Sequence, residues 1–252
     1  MLATRVIPVL LIDNHRLVKT INFNNAKYLG DPVNAVRIFN EKEVDEIVIL
    51  DITATRQSRR PDFNFIQDVA SEAFMPLAYG GGVHRLSDVK ELFRLGVEKV
   101  VVNSALLTNP HFISEASRIY GTQSIVASID VKKNIFSKYK LYKHDKKQST
   151  RADFLSHVKK IESLGVGEIF LNSVDRDGTM KGYDTRLIST VSSEVNIPVV
   201  ACGGAASLED LRLAVDSGAS AVAAGSLFVF SGPHRGVLIN YPEYSDITKT
   251  LK

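Results

Sequence analysis

The sequence has little of several features that mark common classes of protein. It contains one cysteine, Cys202, and no tryptophan in 252 residues. A single cysteine excludes an intrachain disulfide, so we expect a reducing, cytoplasmic location. The net charge is only +3, from 31 lysine and arginine residues against 28 aspartate and glutamate residues. This balance predicts no nucleic-acid partner.

Other absences narrow the function further. No apolar run approaches the roughly 18–20 residues that span a bilayer, so we expect no membrane insertion. The apolar run Val6–Ile12 is followed at once by Asp13, which favours a buried first strand over a signal peptide. The six histidines show neither metal-ligand spacing nor a nucleophilic triad. The sequence therefore predicts no metal and no cofactor.

Eight short runs rich in valine and isoleucine recur along the chain. Because they are apolar on both faces, they are typical of parallel strands that are covered on both sides. Helical patterns such as Ser87–Leu95, Asp153–Leu164 and Ser207–Ser217 lie between them, which indicates a barrel or a doubly wound sheet. The predicted strands are Val6–Ile12, Glu46–Ile52, Pro76–Tyr79, Lys99–Asn103, Ser124–Ile129, Glu168–Asn172, Pro198–Ala201 and Ala221–Gly225.

An internal repeat decides between these two folds. At a shift of 122 residues, many positions of the second half coincide with positions of the first. Two four-strand halves make eight strands, the number that closes a TIM barrel. We therefore predict one α/β domain over residues 1–252, a (β/α)8 TIM barrel of duplicated half-barrels of about 1–122 and 123–252. The coinciding pairs include Glu46 and Glu168, Pro76 and Pro198, Gly81-Gly82 and Gly203-Gly204, Asp88 and Asp210, Gly96 and Gly218, and Ser104 and Ser226.

Two segments depart from a regular barrel. Residues 132–151 hold seven lysines and predict a basic β-hairpin inserted after the fifth strand, either a solvated loop or a lid over an anionic substrate. Ser231-Gly232-Pro233 follows the eighth strand where the eighth helix should begin, and Pro242 stops the short apolar tail Val237–Tyr241. We expect this last helix to be reduced or replaced by irregular structure.

Two glycine-rich turns at matching points of the halves predict phosphate sites. Glycine allows the backbone to approach an anion closely, and serine adds a hydroxyl donor. Because the carboxyl ends of barrel strands form one rim, two such sites imply an elongated substrate with phosphate at both ends. The first site combines Gly80-Gly81-Gly82 with Asn103 and Ser104, and the second combines Gly203 and Gly204 with Gly225 and Ser226.

Polar side chains end several strands between these turns. Asp130 directly follows the fifth strand, so its carboxylate should point to the mouth, either as a helix cap or turn residue or as a group tuned for proton transfer. In the loop after the sixth strand, Thr179 could donate a third hydrogen bond to the second phosphate. The polar set comprises Asp51, Asp130, Asn172, Ser173, Asp175 and Asp177. Of these, Asp51 and Asp177, together with Gly178 in the same loop as Asp177, are predicted to bind the substrate.

Four charged residues open strands at the other end of the barrel. Arg5, Glu46, Lys99 and Glu168 begin the first, second, fourth and sixth strands. Most residues of this kind are separate solvated charges. The repeat relation between Glu46 and Glu168 favours an organised ring, in which two acids and two bases neutralise each other.

These motifs together closely resemble the cyclase subunit of imidazole glycerol phosphate synthase, an enzyme of histidine biosynthesis. The resemblance runs from about residue 1 to 230. It rests on Leu50-Asp51-Ile52-Thr53-Ala54, Gly80-Gly81-Gly82-Val83-His84, Ser128-Ile129-Asp130, Asp175-Arg176-Asp177-Gly178-Thr179 with Gly182-Tyr183-Asp184, and Gly203-Gly204-Ala205.

The resemblance implies a partner and a reaction. It implies a glutaminase subunit docked at the N-terminal face of the barrel, which releases ammonia. It also implies that the four strand-opening charges form the ammonia gate. Ring closure and lyase chemistry would follow at the rim on a small substrate phosphorylated at both ends. Lys19 matches a phosphate-binding residue of the family, and Asp130 matches one of its two catalytic carboxylates.

One departure from the family pattern affects the chemistry. The other catalytic carboxylate should end the first strand in a Cys-Leu-Asp pattern, but here the sequence is Val9-Leu10-Leu11. Asp13 could replace it, although it would stand roughly 6–7 Å further out at the usual rise per residue. A positioned acid or base typically contributes about 10²–10⁴ in rate.

The substitution pattern and the Gly-Pro-His-Arg tail resemble a divergent branch of this family. That branch is linked to amidation of sugars for bacterial surface polysaccharides, including lipopolysaccharide, where the barrel and its glutaminase supply ammonia to a separate sugar amidotransferase. Three hypotheses follow: an ammonia-supplying barrel with altered rim chemistry, an ordinary lyase of histidine biosynthesis, and a phosphosugar aminoaldose–ketose isomerase that needs no glutaminase.

Overall fold

The computed structural model describes residues 4–143, 148–149 and 153–251. Its fourteen strands in chain order are β1 (Arg5–Asp13), β2 (Arg16–Ile21), β3 (Asn24–Gly30), β4 (Ile47–Asp51), β5 (Leu77–Gly80), β6 (Lys99–Val102), β7 (Ile125–Lys133), β8 (Tyr139–Lys143), β9 (Gln148–Ser149), β10 (Glu168–Ser173), β11 (Val199–Cys202), β12 (Ala221–Ala224), β13 (Phe230–Ser231) and β14 (Gly236–Val237).

The same described residues include ten α-helices, nine of them between strands and the last after β14. Four begin at an aspartate whose side chain accepts a hydrogen bond from the third amide beyond it: Asp31, Asp62, Asp153 and Asp184. The helices are α1 (Pro32–Glu41), α2 (Phe63–Glu72), α3 (Leu86–Arg94), α4 (Ser104–Thr108), α5 (Pro110–Tyr120), α6 (Phe154–Ser163), α7 (Thr185–Ser192), α8 (Leu208–Asp216), α9 (Ser226–Val229) and α10 (Tyr244–Thr250). None of the described helices is long and apolar enough to cross a membrane.

Eight parallel strands close into a barrel. The pairing order is β1, β4, β5, β6, β7, β10, β11 and β12, and β12 then pairs with β1. These are the eight predicted strands, so the predicted fold is confirmed. Each strand buries one face inside the barrel and the other against the helices, which is why both faces are apolar.

The repeated positions have matching geometry in both halves of the chain. Asp88 accepts hydrogen bonds from the two amides that precede α3, and Asp210 does the same at α8. Gly96 and Gly218 end these helices at φ of 96° and 103°, a left-handed conformation that favours glycine. The repeated residues therefore form the same helix start and the same helix end in both halves, 122 residues apart.

Hairpins extend from the rim at two points. β7 and β8 form the predicted hairpin through the pairs Val131–Leu141 and Lys133–Tyr139; residues 144–147 and 150–151 of the predicted insertion lie outside the described residues. The second hairpin, β2–β3, follows β1 and was not predicted. Five of the seven β3 residues are exposed, so the strand lacks the apolar alternation that reveals strands in a sequence.

The eighth helix of the barrel is reduced, as predicted. α9 has four residues, and a hairpin of β13 and β14 follows it. A seven-residue helix, α10, then follows Pro242 and packs beside α8, an element that the sequence did not predict. Tyr241 donates a hydrogen bond to the carbonyl of Val6 at 2.9 Å, which holds the tail against β1.

Candidate functional site

The carboxyl ends of the barrel strands surround the larger cavity. It has about 1050 Å³ of empty space, including the part that is open to solvent. A second cavity of about 240 Å³ adjoins it and shares Lys19, Asp177 and Cys202 with it. The predicted residues divide between the two. The larger cavity is lined by Asp51, Gly81, Gly82, Asn103, Ser104 and Asp130, and the smaller by Gly178, Gly203, Gly204, Gly225 and Ser226.

The smaller cavity contains groups suited to an anion. The hydroxyl of Ser226 is buried and has no hydrogen-bond partner among the described residues. Lys19 is only 6% exposed and makes no ion pair within the described part of the chain. A Cβ atom at position 225 would overlap the Lys19 ammonium nitrogen, so glycine allows this group to lie directly against the backbone. Burying a hydroxyl donor or a cation without a partner costs free energy of folding, and a bound anion would offset that cost.

The turn at the first glycine pair follows β5. Gly82 has φ +71°, and a Cβ atom there would lie 3.1 Å from the Cβ of Ala54. This turn therefore packs tightly against the loop after β4. Ser104 begins α4, and the side-chain amide of Asn103 donates to Asp130 at 2.9 Å. The structure thus brings the first predicted phosphate turn beside the predicted catalytic carboxylate.

Asp130 lies in β7 and faces the larger cavity. Burial raises the pKa of Asp130 to about 7 against the opposing hydrogen bond from Asn103, and the negative charge of Asp177 adds to the increase. A carboxyl group with this pKa can both donate and accept a proton near neutral pH. Asp130 is therefore suited to the acid–base role predicted for it.

The raised pKa predicts a specific pH dependence of stability. The folded state holds the Asp130 proton up to about pH 7, whereas the unfolded chain releases it near the ordinary value of 3.8. At a pH below 3.8 the protonated Asp130 makes its full favourable contribution to the free energy of unfolding. This contribution is lost as the pH rises from about 4 to 7. We expect the difference in unfolding free energy between the wild type and Asp130→Asn to fall across this window in urea titrations. A constant difference would contradict the raised pKa.

An apolar side chain occupies the position at which the family resemblance predicts a second carboxylate. Leu11 lines the larger cavity, is 7% exposed, and packs with the apolar core inside the barrel. Asp13 lies outside the cavity: it is the last residue of β1, pairs with Arg16 of β2, and accepts a hydrogen bond from Asn14. The proposed substitution of Asp13 for the family aspartate is therefore not supported by the geometry.

The side chains of two predicted binding residues make hydrogen bonds within their own loops. The Asp51 carboxylate accepts hydrogen bonds from Thr53 and Ala54 and forms an ion pair with Arg59 at 3.0 Å. The Thr179 hydroxyl donates to the carbonyl of Arg176 at 2.8 Å, and Thr179 lines neither cavity. The prediction that Thr179 is a third phosphate donor is not supported, because a local turn already uses its hydroxyl.

An aromatic contact at the edge of the larger cavity was missed by sequence reasoning. Phe23, which lines this cavity, meets Tyr142 of β8 edge to face with ring centroids 5.9 Å apart. Lys132 lies over the Tyr142 ring at 5.5 Å. Burial raises the pKa of Tyr142, and negative charge on Asp130 adds a smaller increase. The two hairpins therefore meet beside Asp130, a contact that no motif in the sequence could indicate.

At the opposite end of the barrel, the four strand-opening charges form a ring. Arg5 forms ion pairs with Glu46 and Glu168. Lys99 contacts the same two carboxylates at 2.7 Å and 3.3 Å. Both glutamates are buried, whereas Arg5 and Lys99 are partly exposed. The residues are thus an organised ring, not separate solvated charges.

Comparisons with known proteins agree with this architecture. The family model described as "Histidine biosynthesis protein" matches residues 5–234. The "Putative imidazole glycerol phosphate synthase subunit hisF2" of Pseudomonas aeruginosa is 47% identical over 98% of this chain and 99% of its own length. The "Imidazole glycerol phosphate synthase subunit HisF" of Thermobifida fusca is 41% identical over 91% of both chains. The chain therefore belongs to the HisF family of lyase-type cyclase subunits of imidazole glycerol phosphate synthase.

Proposed function

We propose that this barrel works with a glutaminase as an ammonia-supplying pair, and that its own rim chemistry is altered. The observation that carries the proposal is the contrast between the two ends of the barrel. The four-charge ring at the N-terminal face is complete, whereas the rim has Asp130 but Leu11 in place of the second carboxylate. Selection for ammonia passage without selection for lyase chemistry would produce this contrast.

The barrel interior suits passage of a neutral molecule. Most of the described side chains that pack inside the barrel are apolar, with Ser128 among the polar ones, and those of Ala78, Ala221 and Ala223 are small. An ammonium ion would lose its hydration there without compensation, whereas the desolvation cost for neutral ammonia is much smaller. The ring would admit ammonia from a glutaminase docked at the N-terminal face.

The rim would still bind a small phosphorylated ligand. The buried Ser226 hydroxyl and the unpaired Lys19 support one anion site, and the turn of Gly81 and Gly82 supports the other. The final ammonia acceptor would be a sugar of surface-polysaccharide biosynthesis, handled by a separate amidotransferase, as in the branch that the sequence resembles.

A steady-state assay tests the altered chemistry. Purified protein is given ammonia and the diphosphorylated histidine-pathway intermediate that the family cyclases use, with an ordinary cyclase subunit assayed in parallel. We expect turnover lower by about 10²–10⁴. Comparable turnover in the two proteins would exclude altered chemistry and favour the second candidate, an ordinary lyase of histidine biosynthesis, which the raised pKa of Asp130 supports.

Ammonia transfer is tested separately. The complex with the glutaminase is supplied with glutamine labelled at the amide nitrogen, and label is followed into the product of the acceptor enzyme. Failure to form any complex with a glutaminase would contradict the pairing and favour the isomerase hypothesis, against which the four-charge ring argues.

A further inference from the structure

We propose that Arg235, in the turn between β13 and β14, is a positioning residue that holds the loop of residues 175–182 against the smaller cavity. The proposal rests on phosphate binding at that cavity, which is part of the proposed function. It assigns a role to the C-terminal segment that replaces most of the eighth helix.

The contacts of Arg235 define this role. Its guanidinium group donates to the carbonyls of Gly178 and Thr179, at 3.1 Å and 2.9 Å. Gly178 lines the smaller cavity, and so does Met180, whose amide belongs to the same peptide unit as the Thr179 carbonyl. One side chain therefore fixes two successive peptide groups beside the candidate anion site.

Burial and backbone conformation set Arg235 apart from its neighbours. Residues 231–234 and 236–238 are exposed, whereas Arg235 is partly buried. Its φ is +49°, a left-handed conformation that is uncommon for a residue with a side chain and persists where surrounding contacts determine it. The turn is thus shaped so that this one side chain reaches inward.

Other contacts hold the two ends of the same loop. Asn22 donates to the carbonyls of Val174 and Asp175, at 3.0 Å and 2.9 Å. The amide of Gly182 donates to the carbonyl of Gly204 at 2.9 Å.

Between these two ends, the Arg235 side chain contacts the loop from the C-terminal segment. The Asn22 amide and the Thr20 hydroxyl also hold Asp177, through its carbonyl at 2.9 Å and its carboxylate at 3.1 Å. Removal of the Arg235 side chain should therefore release the peptide groups of residues 178–180, while the contacts at Asp177 and at both ends of the loop persist.

The charge of Arg235 also favours an anion in the cavity. It has no carboxylate partner among the described residues, so its positive charge is not neutralised nearby. The planar guanidinium group can bind two carbonyls at once, whereas a lysine ammonium is a point charge without that fork. Substitution by lysine therefore separates the geometric contribution from the electrostatic one.

Amide NMR titration of the full chain with inorganic phosphate tests the proposal. We expect Arg235→Gln to weaken binding at the smaller cavity about tenfold, reported by Gly204 and Ser226, while Gly82 and Ser104 report unchanged binding at the larger cavity. Arg235→Lys should restore only part of the affinity. Hydrogen exchange of the 178–182 amides should be faster in Arg235→Gln without phosphate. The matched control is Arg212→Gln, an exposed arginine on α8.

Three outcomes would overturn the role of Arg235: unchanged affinity at the smaller cavity, full rescue by lysine, or an equal loss at both cavities with a lower melting temperature. Lys19→Met separates this failure from failure of the proposed phosphate site. If Lys19→Met binds phosphate as the wild type does, the site itself is contradicted, and unchanged hydrogen exchange in Arg235→Gln would independently contradict positioning.

Discussion

Leu11→Asp should raise turnover of the histidine-pathway intermediate with ammonia by about 10²–10⁴, because it restores a carboxylate that can act with Asp130. Leu11 and Asp130 line the same cavity, on β1 and β7. Asp130 keeps a pKa of about 7, so one member of the pair is already poised for proton transfer. The gain is measured as kcat in the ammonia-dependent assay.

Leu11→Asn is the matched control for this gain. Asparagine has the size and polarity of aspartate but no ionisable proton, so it should leave turnover at the wild-type level. Adding Asp130→Asn to the Leu11→Asp variant should remove the gain. If Leu11→Asn raises turnover as much as Leu11→Asp does, cavity polarity and not acid–base chemistry limits the reaction. Circular dichroism and urea unfolding establish that each variant is folded.

Arg5→Met should lower the free energy of unfolding by about 3 kcal/mol, because it leaves two buried carboxylates with one shared cation. The Glu46 and Glu168 side chains are 4% and 9% exposed. Water can therefore compensate only weakly for the loss of the Arg5 charge. Lys99 still contacts both, which places the expected loss at the low end for a broken buried ion pair. Urea unfolding at neutral pH measures the change.

Arg37→Met is the comparison for this loss. Arg37 also makes two hydrogen bonds to one glutamate, Glu72, but both side chains are substantially exposed. Exposed pairs contribute about 0–1 kcal/mol, so this variant should be nearly neutral. Equal effects of the two substitutions would show that the ring is no more stabilising than a surface ion pair.

The strands of the barrel could be predicted because their sequence signal is unambiguous. β10 and β12 begin at the predicted residues, and β1 extends one residue beyond the predicted run at each end. Runs that are buried on both faces tolerate almost no polar residue, so burial is visible in the sequence itself. The ring at the N-terminal face followed from the same strand starts, since strand ends meet in a closed barrel.

Side-chain directions at strand ends and in loops could not be predicted in this way. Asp13 and Thr179 have suitable chemistry and spacing, yet a turn and a local hydrogen bond direct them elsewhere. The hairpin of β2 and β3 depends on left-handed residues such as Asn22 and Phe23, and its contacts are with distant segments. Such arrangements depend on tertiary contacts that have no periodicity along the chain.

The position of Arg5 ties the ring of charges to the order of folding. Arg5 lies on β1, opposite Ala221 of β12, and this pairing across 216 positions closes the barrel. Its partner Glu46 directly precedes β4 and its partner Glu168 begins β10, and these two strands lie in opposite directions from β1 in the barrel order. Contacts between such distant positions form late, because the chain between them must be ordered first. A partly folded chain should therefore lack the ring that we propose as the ammonia entrance, because closing the barrel and completing the ring require the same long-range contacts.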